Sequence, residues 1–331
     1  MPMPEPGPRL SFEFFPPADD TAAIRLWSAV DDLAPLAPKF VSVTYGAGGS
    51  VRASTLKTAK GIQSRHGLDV TAHLTCVGAS RDQIMAKAWG LSEAGVCEVL
   101  ALRGDPPGNK TEFRPHSSGF GNTCELVSAL KDVPGIRVRV SAYPDPHPDA
   151  AYAGADVDWL KRKLDAGAES AITQFFFEAE TYFRFRDACQ RAGIDAPIIP
   201  GILPIQNWVT ARKFARRCGA RVPDWLDSAF TKALRDGDGR HDLLAISVCT
   251  ELCSELIAGG VEQLHFYTLN RSRLTRKVIH ALGLSTAGKP IGNVGKTRLR
   301  TGSGAGKAVP GAWVPPNPAK SRKGQNLASV T

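Results

Sequence analysis

The chain has 331 residues, 43% of them apolar and 22% charged, enough to bury a full core in one large domain or two. Its formal charge of +9 points to nucleic acid until it is located: residues 285–331 hold eight Lys and Arg and no acidic residue, which leaves 33 basic against 32 acidic side chains elsewhere and excludes a basic nucleic-acid-binding body. No run approaches about 18 uninterrupted apolar residues, and the opening MPMPEPGPRL holds no apolar segment, so neither spanning nor export is expected and the cytoplasm is the expected compartment.

Short β-type runs alternate with helical patterns. In chain order the strands are LSFEFFP (10–16), KFVSVTY (39–45), DVTAHLTC (69–76), EVLALRG (98–104), IRVRVSAYP (136–144), SAITQFF (170–176), PIIPGILP (197–204) and EQLHFYTL (262–269). Between them lie amphipathic segments such as TAAIRLWSAVDDLAPL, DQIMAKAWGLSEAG, VDWLKRKLDAGA and YFRFRDACQRAG, several closing near a Gly suited to a helix C-cap. Strands alternating with helices imply a parallel sheet, and eight such units predict an α/β fold of the (β/α)8 TIM-barrel type, with a doubly wound sheet as the structural alternative. Extra helices are predicted around 223–258, before the eighth strand. The expected boundaries are an N-terminal extension (1–9), the barrel (10–284) and a basic, Gly/Pro-rich disordered tail (285–331), whose functional alternative is an electrostatic tether to an anion.

The seven cysteines are scattered and lack CxxC or clustered His spacing, so they are expected to be reduced core residues with no metal site. A barrel gathers its active site at the C-terminal ends of its strands. At those ends stand Glu13, Thr44, His73 with Thr75, Arg103-Gly104-Asp105, Tyr143 followed by His147, Thr173 with Gln174, and His265 with Tyr267 and Asn270.

Glu13 alternates with Phe12 and Phe14, so period-two geometry turns those rings to the opposite face and Glu13 toward the mouth. Poor solvation there is expected to raise its pKa, as a general acid working near neutral pH requires. The alternative is a carboxylate paired with an arginine such as Arg103. In LALRGDPPGN, a glycine and two prolines hold Asp105 in a rigid turn, suited to a ring N–H together with an exocyclic amine, or simply to capping the turn. TYGAGGS offers backbone N–H groups to a phosphate or flavin edge but is neither a P-loop nor a GxGxxG fingerprint. Arg162 and Lys163, in the KRK after Asp156, suit a pyrophosphate or plain solvated surface. Gln174, an amide at a buried strand end, needs partners: a heterocyclic ligand or the backbone of the next loop.

Together SFEFFPP, FVSVTYGAGGS, AHLTC, ALRGDPPG, AYPDPHP, DAGAESAITQFFF, IIPGILPIQNW and HFYTLNR, in this order from residue 10 to about 284, resemble the methylenetetrahydrofolate reductase family in its bacterial, catalytic-domain-only form. The resemblance implies an FAD-containing (β/α)8 barrel with a ping-pong cycle. NAD(P)H reduces FAD and leaves, then 5,10-methylenetetrahydrofolate enters and departs as 5-methyltetrahydrofolate, supplying methyl groups toward methionine. It implies that Glu13 is the acid that protonates N10 and opens the imidazolidine ring to a 5-iminium cation. Asp105 would recognise the pterin and, close to the flavin, stabilise that cation. Gln174 would serve both folate and nicotinamide, Phe214 in ARKFARR would stack in their shared cleft, and Arg271 would lie near the same mouth. Carried over as FAD contacts are Thr44, His73, Arg103, Gly104, Tyr143, His147, Asp156, Arg162, Lys163 and Ile172, with Tyr267 near cofactor and substrate. A homo-oligomer is also implied.

The chain departs from the pattern at two places. Asn122 and Thr123 stand where many relatives carry Tyr-Ala, so an aromatic neighbour of the flavin is missing or supplied by Phe120. Trp159 stands where relatives can offer an Asn to the adenosine. Competing readings are a non-catalytic folate- or flavin-binding barrel, for which an acid at Glu13 has no use, and another flavin barrel such as a proline-oxidising enzyme, which does not explain LRGDPP with ITQFFF.

Overall fold

The computed structural model describes residues 7–45, 52–105, 113–237 and 239–284. The Gly-rich part of TYGAGGS, the residues after Asp105 in LRGDPPGN and the predicted tail at 285–331 lie outside the described residues.

Nine parallel strands form one sheet: β1 (Arg9–Phe14), β2 (Phe40–Val43), β3 (Val70–Thr75), β4 (Glu98–Leu102), β5 (Arg137–Ala142), β6 (Ser170–Thr173), β7 (Ile198–Ile199), β8 (Gly201–Ile202) and β9 (Gln263–Tyr267). Their order is β7-β6-β5-β4-β3-β2-β1-β9-β8. The two end strands are adjacent in sequence and separated by Pro200 alone: β7 pairs with β6, β8 pairs with β9, and His265 N donates to Pro200 O at 3.0 Å. A proline has no N–H to keep a ladder continuous, so one extended segment is written as two short strands that close the barrel. The predicted eight strands and the nine observed are therefore the same barrel.

Helices return the chain between strands: α1 (Asp20–Leu33), α2 (Arg52–His66), α3 (Arg81–Glu93), α4 (Thr123–Leu130), α5 (Ala155–Asp165) and α6 (Ala179–Arg191). Three follow β8: α7 (Trp208–Cys218), α8 (Asp224–Arg235) and α9 (Arg240–Ala258), and α10 (Ser272–Ala281) follows β9. Local chemistry sets their starts. Ser80 and Gln83 form a reciprocal capping box at α3, and Asp19 and Asn207 accept the third amide of α1 and α7, each cap contributing about 1 kcal/mol.

Alternation along the strands divides two layers. The outward set, including Phe12, Phe14, Val41, Val43, Ala72, Leu74, Val99 and Val140, is buried with the helices in the main core, and each large side chain contributes about 1.5–3 kcal/mol through burial. The inward set is stacked by chemistry. At the floor, the Glu98 carboxylate accepts from Thr71 Oγ1 at 2.8 Å and Arg139 Nη2 at 2.9 Å, while Arg139 Nη1 donates to Ser170 Oγ at 2.8 Å. Above it lies an apolar belt of Phe40, Leu100, Ile172 and Ile199, with the Arg139 guanidinium 4.3 Å from the Phe40 ring centroid. The polar mouth stands above the belt.

A second core, containing Phe175, Phe177, Leu203, Trp208, Leu226 and Phe230, joins the ends of β6 and β8 to α7, α8 and α9. All seven cysteines are free; contrary to the core expectation, Cys97 is exposed and Cys124 and Cys218 are half-buried, because these positions lie at element ends and on helix flanks rather than on core-facing stripes. No described helix is long and apolar enough to cross a membrane.

Gly201 admits no side chain. A Cβ there would lie 2.2 Å from Thr173 O and 2.5 Å from the Tyr267 ring. Gly201→Ala is expected to cost about 3 kcal/mol in urea unfolding and to dislodge Tyr267; a variant as stable as the parent would contradict this close approach.

Candidate active site

Glu13, next to last in β1, has only 7% of its surface exposed. Its backbone is gripped from the segment after β9: Thr268 Oγ1 donates to Glu13 O at 2.5 Å, and the Asn270 amide accepts from Phe15 N and donates to Phe15 O, both at 2.9 Å. Asn270 reaches them from a left-handed conformation with φ of 54°, which asparagine tolerates better than most residues.

Around the carboxylate, Ser42 Oγ donates to Oε2 at 3.4 Å, His73 Nε2 lies 3.3 Å from it and His265 Nε2 lies 3.9 Å from it. The His73 approach is out of line for a hydrogen bond, and Nε2 is buried without another partner, as is Thr75 Oγ1 beside it on β3. Burial by itself pushes the Glu13 carboxyl up, but the close approach of the His265 and His73 imidazoles outweighs it and holds the pKa down at about 2. This corrects the expectation of a raised pKa: the neighbouring phenylalanines face the outer core, and what faces the carboxylate is imidazole and hydroxyl. The arginine alternative also fails, because Arg103 pairs with Asp149 at 2.8 Å.

A second group forms at the ends of β4 and β5. The rings of Tyr143 and His147 meet edge to face at 4.8 Å, and His147 N donates to Asp156 Oδ2 at 3.1 Å. Lys163, buried on α5, donates to Ser141 O and lies 5.8 Å from the Tyr143 ring centroid. Burial lowers its ammonium pKa to about 8, against the charge of Asp156, so it is still cationic at neutral pH. Desolvation, then the Arg103 charge, lowers the His147 pKa. Asp105 is exposed at the rim. Gly104 has φ of +84°, and a Cβ there would stand 2.6 Å from Val77 Cγ1, so glycine sets the turn that presents Asp105. Thr44, buried, takes its register from Phe14 O.

An aromatic wall forms the third side. Phe175 stacks on Phe214 with centroids 5.2 Å apart, and the Tyr267 ring meets Phe175 at 6.5 Å. Tyr267 OH donates to Thr173 O at 2.6 Å. Gln174 Oε1 accepts from Phe175 N at 3.0 Å.

Several named positions fall away from these groups. Ile172 is part of the apolar belt. Arg162 is exposed, its guanidinium 5.2 Å from the ring centroid of Trp159, itself 44% exposed, because adjacent positions on α5 differ by about 100° and Lys163 takes the buried side. Arg271 is the exposed N-cap of α10. Asn122 caps α4, accepting from Glu125 N at 3.1 Å. Phe120 does not supply the aromatic neighbour: it is 1% exposed in the main core.

Sequence reasoning omitted Ser42 and gave Ser11 and His265 no role. Ser11 Oγ lies 2.9 Å from His265 Nδ1. The available signal was alternation: Ser11 and Glu13 share the inward face of β1, and His265 shares that of β9 with Gln263 and Tyr267.

The profile of the family described as methylenetetrahydrofolate reductase matches residues 5–283. The chain is 44% identical over 277 residues to 5,10-methylenetetrahydrofolate reductase of Salmonella typhimurium, covering 83% of this chain and 90% of that protein. It is 43% identical over 275 residues to the same-named protein of Escherichia coli, with the same coverage. Among solved structures, a Clostridium thermocellum protein described as binding two copies of 5-methyl-5,6,7,8-tetrahydrofolic acid superposes with a TM-score of 0.54 at 13% identity, over 84% of this chain and 94% of that one, a likeness of fold. With the matched profile spanning the whole barrel, the chain belongs to the methylenetetrahydrofolate reductase family.

Proposed function

We propose that this protein reduces 5,10-methylenetetrahydrofolate to 5-methyltetrahydrofolate with NAD(P)H, in a ping-pong cycle through FAD at the barrel mouth, in the cytoplasm and toward methionine synthesis. The observation that carries the reading is Glu13: a carboxylate buried at a strand end between two imidazoles, in a chain of this family.

The residues present fit FAD. His73 Nε2 and Thr75 Oγ1 are buried polar atoms without hydrogen-bond partners, a costly arrangement unless a ligand meets them. Lys163 and Arg103 supply positive charge for a diphosphate. With them, Thr44, Gly104, Asp105, Tyr143, His147, Asp156 and Tyr267 form the set that would hold it. Bound there, FAD supplies the hydride chemistry between nicotinamide and folate.

The chain's own residues do the rest. Glu13 delivers a proton to N10, whose departure opens the imidazolidine ring. Because Glu13 is an anion in the ligand-free protein, it must gain that proton before it can give it. Asp105 hydrogen-bonds the pterin ring, and its charge stabilises the 5-iminium cation. Phe214, backed by Phe175, offers a flat face to whichever heterocycle is present. Gln174, whose Oε1 is held by backbone, donates from its NH2 to either substrate. Tyr267 walls the pocket, and Arg271 lies beyond it, toward the acidic tail of the folate. Residues 10–284 form the catalytic unit, which assembles as a homo-oligomer.

An anaerobic visible spectrum of the protein supplemented with FAD tests the reading. NADH is expected to bleach the flavin band and methylenetetrahydrofolate to restore it. Failure of saturating FAD to bind favours a folate-binding module, and bleaching without recovery identifies another electron acceptor.

A further inference from the structure

A wholly buried histidine lies behind Glu13. His265 is 0% exposed, stacked on Phe40 at 5.7 Å and edge-on to Tyr267 at 5.3 Å. Its two nitrogens have different neighbours. Nδ1 meets Ser11 Oγ at 2.9 Å; Ser11 also donates to Leu264 O at 3.2 Å and accepts from Gln263 Nε2 at 3.3 Å. A hydroxyl has one hydrogen. With that hydrogen on Leu264 O, Ser11 can only accept from the ring, which fixes the proton of neutral His265 on Nδ1.

The other nitrogen, Nε2, is turned toward Glu13 but stands 3.9 Å from Oε2, beyond direct hydrogen-bond reach. Ser42 fills the interval. Its Oγ lies 3.5 Å from His265 Nε2 and 3.4 Å from Glu13 Oε2, and all three groups are buried. A hydroxyl in that position accepts from one side while it donates to the other.

We propose that Ser42 and His265 form an internal relay that loads Glu13 with the proton it delivers. The N–H bond at Nε2 of the His265 imidazolium breaks as a bond to Ser42 Oγ forms. The original Ser42 O–H breaks as Glu13 Oε2 takes its hydrogen, and the loaded Glu13 O–H then breaks as N10–H forms on the substrate. Histidine is left neutral with Nδ1–H on Ser11, glutamate is left as carboxylate, and one proton from water at the mouth returns through Glu13 and then Ser42 to Nε2 of His265 to reset the pair. The relay rests on the reading of Glu13 as the acid of folate reduction. Ser42 and His265 are positioning residues in it, since neither touches the substrate.

The charged and titratable groups facing the relay are few. Across the mouth, His73 on β3 approaches the same Glu13 oxygen. From the floor, Arg139 on β5 acts on His265 through Phe40, and the Tyr267 phenol on β9 is committed to Thr173 O. Desolvation lowers the His265 pKa, against Glu13, and weakens the imidazolium's hold on its proton, as a donor to a carboxylate requires.

Two measurements on the full chain test the relay, and they fail separately from the reading beneath it. In the FAD-loaded protein, Ser42→Ala is expected to slow flavin reoxidation by methylenetetrahydrofolate about tenfold or more and shift its pH profile, with flavin reduction by NADH unchanged. Ser42→Thr and Ser42→Val have nearly the same shape and differ in the hydroxyl, so threonine is expected to restore the rate and valine not. Equal rates for the pair, or equal slowing of both half-reactions, overturn the relay in favour of plain packing. The second measurement needs no substrate: 15N NMR of histidine-labelled protein at alkaline pH is expected to find His265 protonated at Nδ1. Protonation at Nε2 overturns the proposal even if wild-type protein is never reoxidised by folate, a result that would independently remove the reductase reading.

Discussion

Glu13→Gln is expected to slow methylenetetrahydrofolate reduction by about 10²–10⁴-fold, the usual contribution of a positioned proton donor, while leaving flavin reduction by NADH near the parent rate. Glutamine keeps the volume of a side chain that is 7% exposed, and it can still meet Ser42 and the two imidazoles, so the loss isolates proton delivery from packing. Stopped-flow measurement of the two half-reactions separates the steps. Equal loss in both would mean that Glu13 shapes the mouth rather than serving as the acid, and an unchanged folate step would remove it from the chemistry. No acid limb from Glu13 itself is expected in the ligand-free protein above about pH 3, because its carboxyl titrates near 2. Any pH dependence of the folate step near neutrality then belongs to the groups that load it.

Arg139→Met carries the largest expected cost in stability. Arg139 makes two-pronged contact with Glu98, bonds Ser170 and covers Phe40. Its removal leaves a carboxylate with a side chain 8% exposed and an ion-pair partner, Arg137, whose own side chain is 59% exposed. Stranding one member of a buried pair costs about 3–5 kcal/mol, and Arg137 places the expected value at the lower end. The cost should depend on pH. Burial raises the Glu98 pKa, but Arg139, Thr71 and Arg137 outweigh it, so the net shift is downward. A carboxyl with a lowered folded pKa stabilises the fold above its unfolded value, about 4.3, and that contribution is lost as pH falls through the folded value. Urea unfolding of parent and variant should therefore differ most at neutral pH and converge in acid. A difference below about 1 kcal/mol at neutral pH, or one that grows in acid, would contradict this account of the barrel floor.

The barrel was legible because each strand carried its own periodicity. The alternating Ser11, Glu13 against Phe12, Phe14 already separated an inward from an outward face, and eight such runs divided by amphipathic helices admit few topologies. Strand seven shows the limit: PIIPGILP reads as one run, yet Pro200 splits it into two pairs of residues that bond to different neighbours, a fact of closure rather than of local pattern.

The sequence alone determined the alternation of strands and helices, the inward direction of Glu13, the collection of polar residues at one mouth and the family resemblance. These follow from short-range alternation and from motifs contiguous in the chain. Tertiary structure decided what faces Glu13, and so the sign of its pKa shift. His73 arrives from β3 and His265 from β9, 60 and 252 positions along the chain, so only barrel closure sets them beside the carboxylate. Closure likewise gave Arg103 to Asp149, sent Phe120 into the core, and put a serine hydroxyl between an acid and a histidine that no motif had joined. Spacing in sequence fixes which face a side chain takes, while the charge it meets there depends on strands paired across hundreds of residues.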